Sequence, residues 1–384
     1  MDTRDDHVNT ATSDDVSLLT ERPSLDVRFP CDTCGAQLKW DPVHDALRCS
    51  HCETVVPVPA SEATIVEHPI EAAGEAAHGL GLERRVIRCD TCGATVNMDQ
   101  RTTAGRCVYC GSSQVLARDE HRNPIRPESI VPLDVSRPHA RKVFRAWVSS
   151  LWFRPNALKN ARGVSEIGLY VPFWTYDCEV DSAWTADAGY YYYVTETYWT
   201  TVNGKRVRRT RQKRKVRWVR KSGARHDVYD DVIVNASHGL PGDLVDKLGP
   251  FDLTELVPYR SAYLAGWRAE EYQVDLATGW SMAEVSIERT QRARCSNDVP
   301  GDTQRRLKVR NHIDDVHWKH VLLPIWVIQY NYGRKNYTAL IHGQTGKVVG
   351  KAPFSVAKVG LLVLGIIVAA IVAAFVLAGA GVLG

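Results

Sequence analysis

The sequence predicts a multidomain chain with two four-cysteine zinc ribbons, an α+β domain with an antiparallel sheet, and one C-terminal transmembrane helix. Three observations carry this prediction. Eight of the ten cysteines form four Cys-x-x-Cys pairs in the N-terminal third. The middle of the chain combines aromatic and β-branched runs with helical patterns. The last segment, 359–384, contains no charged residue.

The N-terminal segment 1–28 is acidic and polar, with Asp2, Asp5, Asp6, Asp14 and Asp15 and no apolar run. This composition predicts a disordered tail and does not match a secretory signal peptide. Without such a signal, a reducing cytoplasm is expected. Cysteine pairs in that compartment favour metal thiolates over a disulfide framework.

The cysteine pairs form an internal repeat, predicted as ribbon one at 29–56 and ribbon two at 84–117. In each, a Cys-x-x-Cys-Gly turn is followed, after fourteen residues, by a second pair. Four thiolates brought together by two such turns make the closed tetrahedral site typical of structural zinc. A redox pair, an iron–sulfur cluster and unliganded buried thiols are the alternatives. The predicted ligands of the two Zn²⁺ ions are Cys31, Cys34, Cys49 and Cys52, and Cys89, Cys92, Cys107 and Cys110.

Ribbon one departs from the repeat at Glu53, which follows Cys52 where ribbon two has Gly111. His51 lies inside the second pair of ribbon one, and we interpret it as a bystander because four thiolates are already available. The remaining cysteines, Cys178 and Cys295, match no nucleophile motif and are interpreted as buried structural thiols.

Two segments have the composition of linkers. Residues 57–83 are rich in Pro, Ala, Glu and Gly, and residues 118–132 contain three prolines. The two ribbons are therefore expected to move relative to each other. The α+β domain is predicted to fill 133–355.

Within this domain, apolar residues at helical spacing predict a helix over 136–153. Aromatic and β-branched runs predict strands at 169–180, 184–201, 322–332 and 337–342, with a shorter strand after 346. Further helices are expected near 242–248 and 278–295.

A basic β-ribbon is predicted at 203–226, beginning with the hairpin signal Asn203-Gly204. Three interpretations are open: a charged edge that resists aggregation, a surface for anionic lipid, or a surface for nucleic-acid phosphates. We expect lipid, because the membrane helix would hold the domain near the headgroups. The candidate polyanion-binding residues are Lys205, Arg206, Arg208, Arg209, Arg211, Lys213, Arg214, Lys215, Arg217, Arg220, Lys221 and Arg225.

The C-terminal segment 359–384 is long enough to span a bilayer, since about 20 residues cross the hydrocarbon core. Lys347, Lys351 and Lys358 precede it and no charge follows, so the positive-inside bias predicts a single-pass protein with its N-terminal bulk in the cytoplasm. A stripe of small residues would suit pairing of two such helices in a homodimer: Ala370, Ala374 and Ala378.

Common catalytic motifs are absent from the sequence. It contains no Gly-x4-Gly-Lys-Ser/Thr phosphate loop, no Gly-x-Ser-x-Gly and no His-Glu-x-x-His. A binding protein is therefore favoured over an enzyme. An enzyme with an unfamiliar site in the β-rich domain is the remaining alternative.

Four phrases of the chain resemble a bacterial family of zinc-ribbon-containing membrane proteins: 170–177, 263–270, 320–326 and 343–350, the first reading Tyr-Val-Pro-Phe-Trp-Thr-Tyr-Asp. The resemblance covers nearly the whole chain after residue 28. Family members often bear the label primosomal protein N-prime, a replication-restart helicase that also binds zinc through cysteine pairs. Because this chain lacks the phosphate loop, the resemblance does not imply helicase activity.

The leading hypothesis is a membrane-anchored adaptor whose ribbons bind a protein or nucleic-acid partner, with the α+β domain and the basic ribbon at the cytoplasmic face. The alternative is a nucleic-acid-binding factor, related in name to the helicase and held at the membrane.

Overall fold

The computed structural model describes residues 29–58, 64–75, 85–89, 95–98, 107, 109, 115–117, 125–155, 165–202, 204–332 and 335–379. The predicted acidic tail lies outside these residues. The helices are α1 (Arg137–Ser150), α2 (Gly242–Leu248), α3 (Leu276–Asp298) and α4 (Val356–Gly379). The strands are β1 (Leu38–Asp41), β2 (Ala46–Cys49), β3 (Val55–Pro57), β4 (His68–Pro69), β5 (Arg85–Cys89), β6 (Thr95–Met98), β7 (Val115–Ala117), β8 (Ser129–Ile130), β9 (Ser165–Val202), β10 (Lys205–Asn235), β11 (Val257–Pro258), β12 (Arg268–Glu270), β13 (Thr303–Tyr332), β14 (Lys335–His342) and β15 (Val348–Gly350).

The predicted class is confirmed in its coarse form, a mostly antiparallel sheet domain followed by an apolar C-terminal helix. Strands β1, β2 and β3 form a small sheet, and the other described strands form a large one. Strand β9 lies at the centre of the large sheet, with β10 and β13 antiparallel on either side.

The central strands are much longer than the sequence suggested. The two strands expected at 169–180 and 184–201 are one strand, β9, of 38 residues. The polar residues Asp181 and Ser182 do not interrupt it, because β10 and β13 pair with both of them from either side. At about 3.3 Å per residue, shortened by twist, the contour length of β9 is on the order of 100 Å.

Three β-bulges bend the partners of β9. They fall between Tyr229 and Val232 in β10, and after Arg305 and Asp314 in β13. Each contains a residue with positive φ: Asp231, Arg306 and Asp315. A bulge of this kind adds one unpaired residue and increases the local twist, which lets strands of this length coil.

Helices cover the two faces of the sheet unevenly. At one end of β9, α1 packs on one face through Phe144 and α2 packs on the other through Leu248. Further along, α3 packs on a single face through Ile287. Cys178 of β9 lies under α3 and Cys295 lies on the buried face of α3 itself. Both are buried, as predicted from the sequence, and burial raises the pKa of both thiols.

Both predicted linkers are wrong in part. Within 57–83, strand β4 pairs with His317 and Trp318 of β13. Within 118–132, strand β8 lies between β11 and β13 and is fully buried. The overall composition of these segments resembles a linker, but they contain short apolar stretches that pack in the core. Ile130 and Val131, between Pro127 and Pro132, are an example.

Ribbon two is not separate from the α+β domain. Strand β6, which belongs to the predicted ribbon, pairs antiparallel with β12. Strands β5, β6 and β7 therefore continue the large sheet. This arrangement corrects the expectation of freely moving ribbons.

A buried lysine fastens the segment 64–75 to the sheet. The Lys319 side chain is only 6% exposed, and its Nζ lies 2.6 Å from Glu67, 2.7 Å from Asp231 and 3.9 Å from Asp177. One cation thus faces three carboxylates. Burial raises the pKa of Asp177 to about 6 although Lys319 opposes this shift.

This raised pKa makes the stability of the fold pH-dependent. Ionisation of Asp177 opposes folding, so the folded state is stabilised by the protonated carboxyl. This stabilisation is fully present below the ordinary pKa of an aspartate and is lost as pH rises through about 6. Asp177→Asn should therefore match the wild type near pH 4 and exceed it near pH 7 by at most about 3 kcal/mol. Thermal unfolding at both pH values measures this difference. The exposed Asp230→Asn is the control, and lower stability of Asp177→Asn at both values would contradict the account.

Candidate metal centre and basic arm

The four cysteines of ribbon one lie in one cluster. The Sγ atoms of Cys31 and Cys52 are 3.4 Å apart, and those of Cys34 and Cys49 are 3.5 Å apart. All four sulfurs lie within 4.8 Å of one another. Four sulfurs at about 2.3 Å from a tetrahedral zinc ion would be about 3.8 Å apart, so the cluster can hold such a metal ion.

Two matching turns build this cluster. The amide of Gly35 donates to the carbonyl of Cys31 at 2.7 Å. In the second turn, the amide of Glu53 donates to the carbonyl of Cys49 at 3.1 Å. Gly35 has φ +72° and Glu53 has φ +62°. Glu53 thus adopts the left-handed backbone conformation that Gly35 adopts in the first turn, which costs a residue with a side chain about 1–2 kcal/mol. The departure from the repeat leaves the turn intact.

Hydrogen bonds to sulfur prepare the cluster for a cation. The amide of His51 donates to the Cys49 sulfur at 3.4 Å, while the His51 side chain is exposed and outside the group of four sulfurs. The Thr54 hydroxyl lies 3.1 Å from the Cys52 sulfur, and this contact lowers the pKa of Cys52 to about 6. A hydrogen bond from Ala36 lowers the pKa of Cys34, but the contact with Cys52 outweighs it and raises that pKa to about 12. The thiolate is the form that binds metal, so a bound ion would have to displace the proton that Cys34 holds.

Ribbon one docks on the large domain through Trp40. The Trp40 ring meets the Tyr263 ring edge-on at 4.6 Å, and the Trp267 indole N–H donates to the Trp40 carbonyl at 3.1 Å. A Cβ at Gly266, which has φ +76°, would lie 2.6 Å from the Lys39 side chain. The phrase 263–270 therefore includes the surface that receives the ribbon.

Ribbon two is described in part. Cys89 and Cys107 are buried, whereas Cys92 and Cys110 lie outside the described residues. The amide of Tyr109 donates to the Cys107 sulfur at 3.4 Å, repeating the contact at Cys49 in ribbon one.

The sequence reasoning missed a buried acid beside ribbon two. Glu270 contacts the Tyr109 hydroxyl and accepts from the Gln273 amide at 2.7 Å. Burial raises the pKa of Glu270 to about 7. The signal available in the sequence was its position at the end of the phrase 263–270.

The predicted basic ribbon is an arm that projects from the sheet. The pairing of β13 with β9 reaches only to Gly189, so 190–202 of β9 and 205–217 of β10 pair with each other alone. We call these two segments the basic arm. Of the twelve predicted basic residues, the arm contains nine: Lys205, Arg206, Arg208, Arg209, Arg211, Lys213, Arg214, Lys215 and Arg217. Arg220, Lys221 and Arg225 lie in the sheet proper, where Arg225 is held by Asp227 and Asp298.

Alternation along β10 places six of these cations on one face of the arm: Lys205, Arg209, Arg211, Lys213, Lys215 and Arg217. Their cross-strand partners in β9 include three tyrosines and Glu196, which binds Arg211 at 2.8 Å and Lys213 at 3.2 Å. Arginines also stack on rings of the arm, including Arg214 at 4.3 Å from the Tyr191 centroid. The side chains of 205–215 are exposed, so this charge faces solvent.

Helix α4 is the one described helix that is long and apolar enough to cross a membrane. Residues Ala357–Phe375 have a mean hydropathy of 2.6, and none of them is buried against the domain. The helix begins beside the end of α1, where the Ser355 amide donates to the Phe153 carbonyl at 2.6 Å.

The anchor candidate and the arm lie at opposite ends of β9. Helix α1, whose end contacts the start of α4, packs over Tyr170 near the start of β9, whereas the arm tip follows Val202 at its end. A contour on the order of 100 Å separates them. Proximity to the membrane helix, on which the expectation of lipid binding depended, therefore does not follow from the fold.

The chain is 27% identical over 345 residues to a Bacillus subtilis (strain 168) protein named uncharacterized protein YdjG, covering 88% of this chain and 94% of that one. No protein-family model matches the chain. No solved structure matches it either.

Proposed function

We propose that this chain is a membrane-anchored adaptor that captures an anionic partner at the cytoplasmic face of a membrane. The basic arm carries this proposal. It presents nine cations on a two-stranded projection, and Glu196 is the one carboxylate among its described residues. A charged edge that merely resists aggregation would not need to extend beyond its sheet.

The anchor in this proposal is α4, which spans the bilayer once. Lys351 and Lys358 flank its N-terminal end, and the positive-inside bias then keeps the large domain in the cytoplasm. A reducing compartment would also suit the four cysteines of ribbon one, because they are arranged to hold a metal ion as thiolates.

The ribbons are proposed to be structural zinc sites, one ion each. The sulfur geometry of ribbon one supports this, and so does the repeat of the same cysteine spacing in ribbon two. A closed four-sulfur site leaves no open position for water, so its zinc would stabilise the fold and not perform chemistry.

The surface proposed to bind a protein partner lies beside ribbon one. A groove separates the ribbon from the start of α1 and is lined by Trp40, Val43, Arg48, Arg137 and Trp267. Val43 at its rim is 71% exposed, and an apolar side chain presented in this way suits a protein contact.

The second candidate function is nucleic-acid binding by the arm. Three exposed rings favour it, Tyr192, Tyr193 and Trp199, because bases stack on such rings while cations hold the phosphates. The affinity of such a complex falls with salt by a log–log slope of about 0.7 per phosphate contacted by single strands.

The adaptor proposal is tested with the full chain in nanodiscs of neutral lipid. Six substitutions in the arm, Arg208, Arg209, Arg211, Lys213, Arg214 and Lys215 to Gln, should weaken binding of anionic vesicles or single-stranded oligonucleotides by about 100-fold or more.

The matched control removes six exposed cations elsewhere: Lys142, Arg145, Arg289, Lys308, Arg310 and Lys335 to Gln. Equal losses in both variants would show attraction by net charge alone and contradict the role of the arm. Binding of vesicles but not oligonucleotides would remove the second candidate.

A further inference from the structure

Two aromatic side chains are exposed where α4 leaves the domain. Trp152 follows the last turn of α1 and is 78% exposed, and Phe354 precedes α4 and is 77% exposed. Neither belongs to a hydrophobic cluster of the described residues, in contrast to Phe144 and Trp147 of α1, which pack against the sheet.

Direct contacts hold both segments at the start of α4. The Ser355 amide, next to Phe354, donates to the Phe153 carbonyl, next to Trp152, at 2.6 Å. Lys358 Nζ, in the first turn of α4, donates to the Trp152 carbonyl at 3.2 Å. Trp152 and Phe354 therefore flank the same backbone contact, and Lys358 binds beside it, at the place where an unburied apolar helix begins.

The chemistry of this cluster fits the boundary between lipid headgroups and acyl chains. A tryptophan carries about 150–250 Å² of surface, most of it apolar, which water solvates poorly. Its indole N–H prefers a polar neighbour, so the ring is favoured at the interface. A lysine beside it can place its ammonium among the phosphates while its stem stays apolar.

We infer that Trp152 and Phe354 insert into the bilayer interface and form a second membrane contact around the entry point of α4. This inference rests on the proposed anchoring by α4. The contact fixes the end of α1 on the lipid surface, so the domain is held in one orientation and not merely tethered. The start of β9 then faces the bilayer, and the arm at its other end points away.

The test uses quenching of tryptophan fluorescence by lipids brominated near the headgroup end of the acyl chain, with the full chain in nanodiscs. The chain supplies a matched pair of exposed tryptophans, Trp152 near α4 and Trp199 in the arm, 61% exposed. Trp152→Phe should lower the quenched fraction roughly twofold or more, and Trp199→Phe should leave it unchanged. Phe354→Trp in the Trp152→Phe background should restore quenching.

Each other result overturns part of this account. Equal quenching in the wild type and Trp152→Phe, without gain from Phe354→Trp, would place this end of α1 away from lipid. Loss of quenching in Trp199→Phe would show the arm lying on the bilayer. A full chain that does not incorporate into nanodiscs would overturn the anchor, and the inference with it, whereas incorporation without Trp152 quenching overturns the inference alone.

Discussion

Replacing Cys34 with serine is expected to lower the zinc content from two ions per chain to one and to unfold ribbon one. Cys34 is exposed, so the substitution removes a ligand without leaving a cavity. Binding of structural zinc is worth about 10–16 kcal/mol in small zinc domains, more than the short sheet β1–β3 can replace. Elemental analysis measures the metal, and limited proteolysis reports the unfolding.

His51→Ala is the control for this substitution, because His51 lies in the same turn but outside the four sulfurs. It should retain both ions. Iron in place of zinc, or unchanged zinc in Cys34→Ser, would contradict the proposed metal centre. Loss of both ions would show that the two clusters are coupled through the domain on which Trp40 docks.

Deleting 359–384 is expected to move the protein from the membrane to the soluble fraction. The described part of this segment is not buried against the domain, so its removal exposes no core. A helix with a mean hydropathy of 2.6 supplies the apolar surface that integral insertion requires. Fractionation after an alkaline wash measures the change.

The six-Gln arm variant is the control here, since it should stay in the membrane fraction. A truncated chain that still behaves as an integral membrane protein would contradict the role of α4 as the anchor. Peripheral retention that salt removes would instead indicate contact through basic residues.

Local patterns predicted local elements well. The spacing of apolar residues indicated α1, which is observed at Arg137–Ser150. The long segment without charged residues, 359–384, indicated α4. The paired cysteines of ribbon one predicted their own cluster because two-residue spacing fixes a turn without help from the rest of the fold. These features depend on neighbours in the sequence, which is why the sequence alone was sufficient.

Long-range pairing accounts for what was missed. Whether β9 stops or continues at Asp181 depends on the strands beside it, which no local window contains. The contact of Glu67 with Lys319 joins residues 252 positions apart. The separation of the arm from α4 depends on the direction of strands and was likewise invisible, so the expectation of lipid contact had no geometric support.

In the proposed function the chain connects a membrane to an anionic partner, with α4 and the basic arm as its two ends. Flotation of neutral vesicles mixed with a labelled polyanion, either an oligonucleotide or heparin, measures both ends in one experiment. Vesicles that contain the wild-type chain should carry the label upward. The six-Gln arm variant should float without label, and the chain lacking 359–384 should bind label without floating. Equal label on vesicles with the wild-type and arm-variant chains would contradict the account.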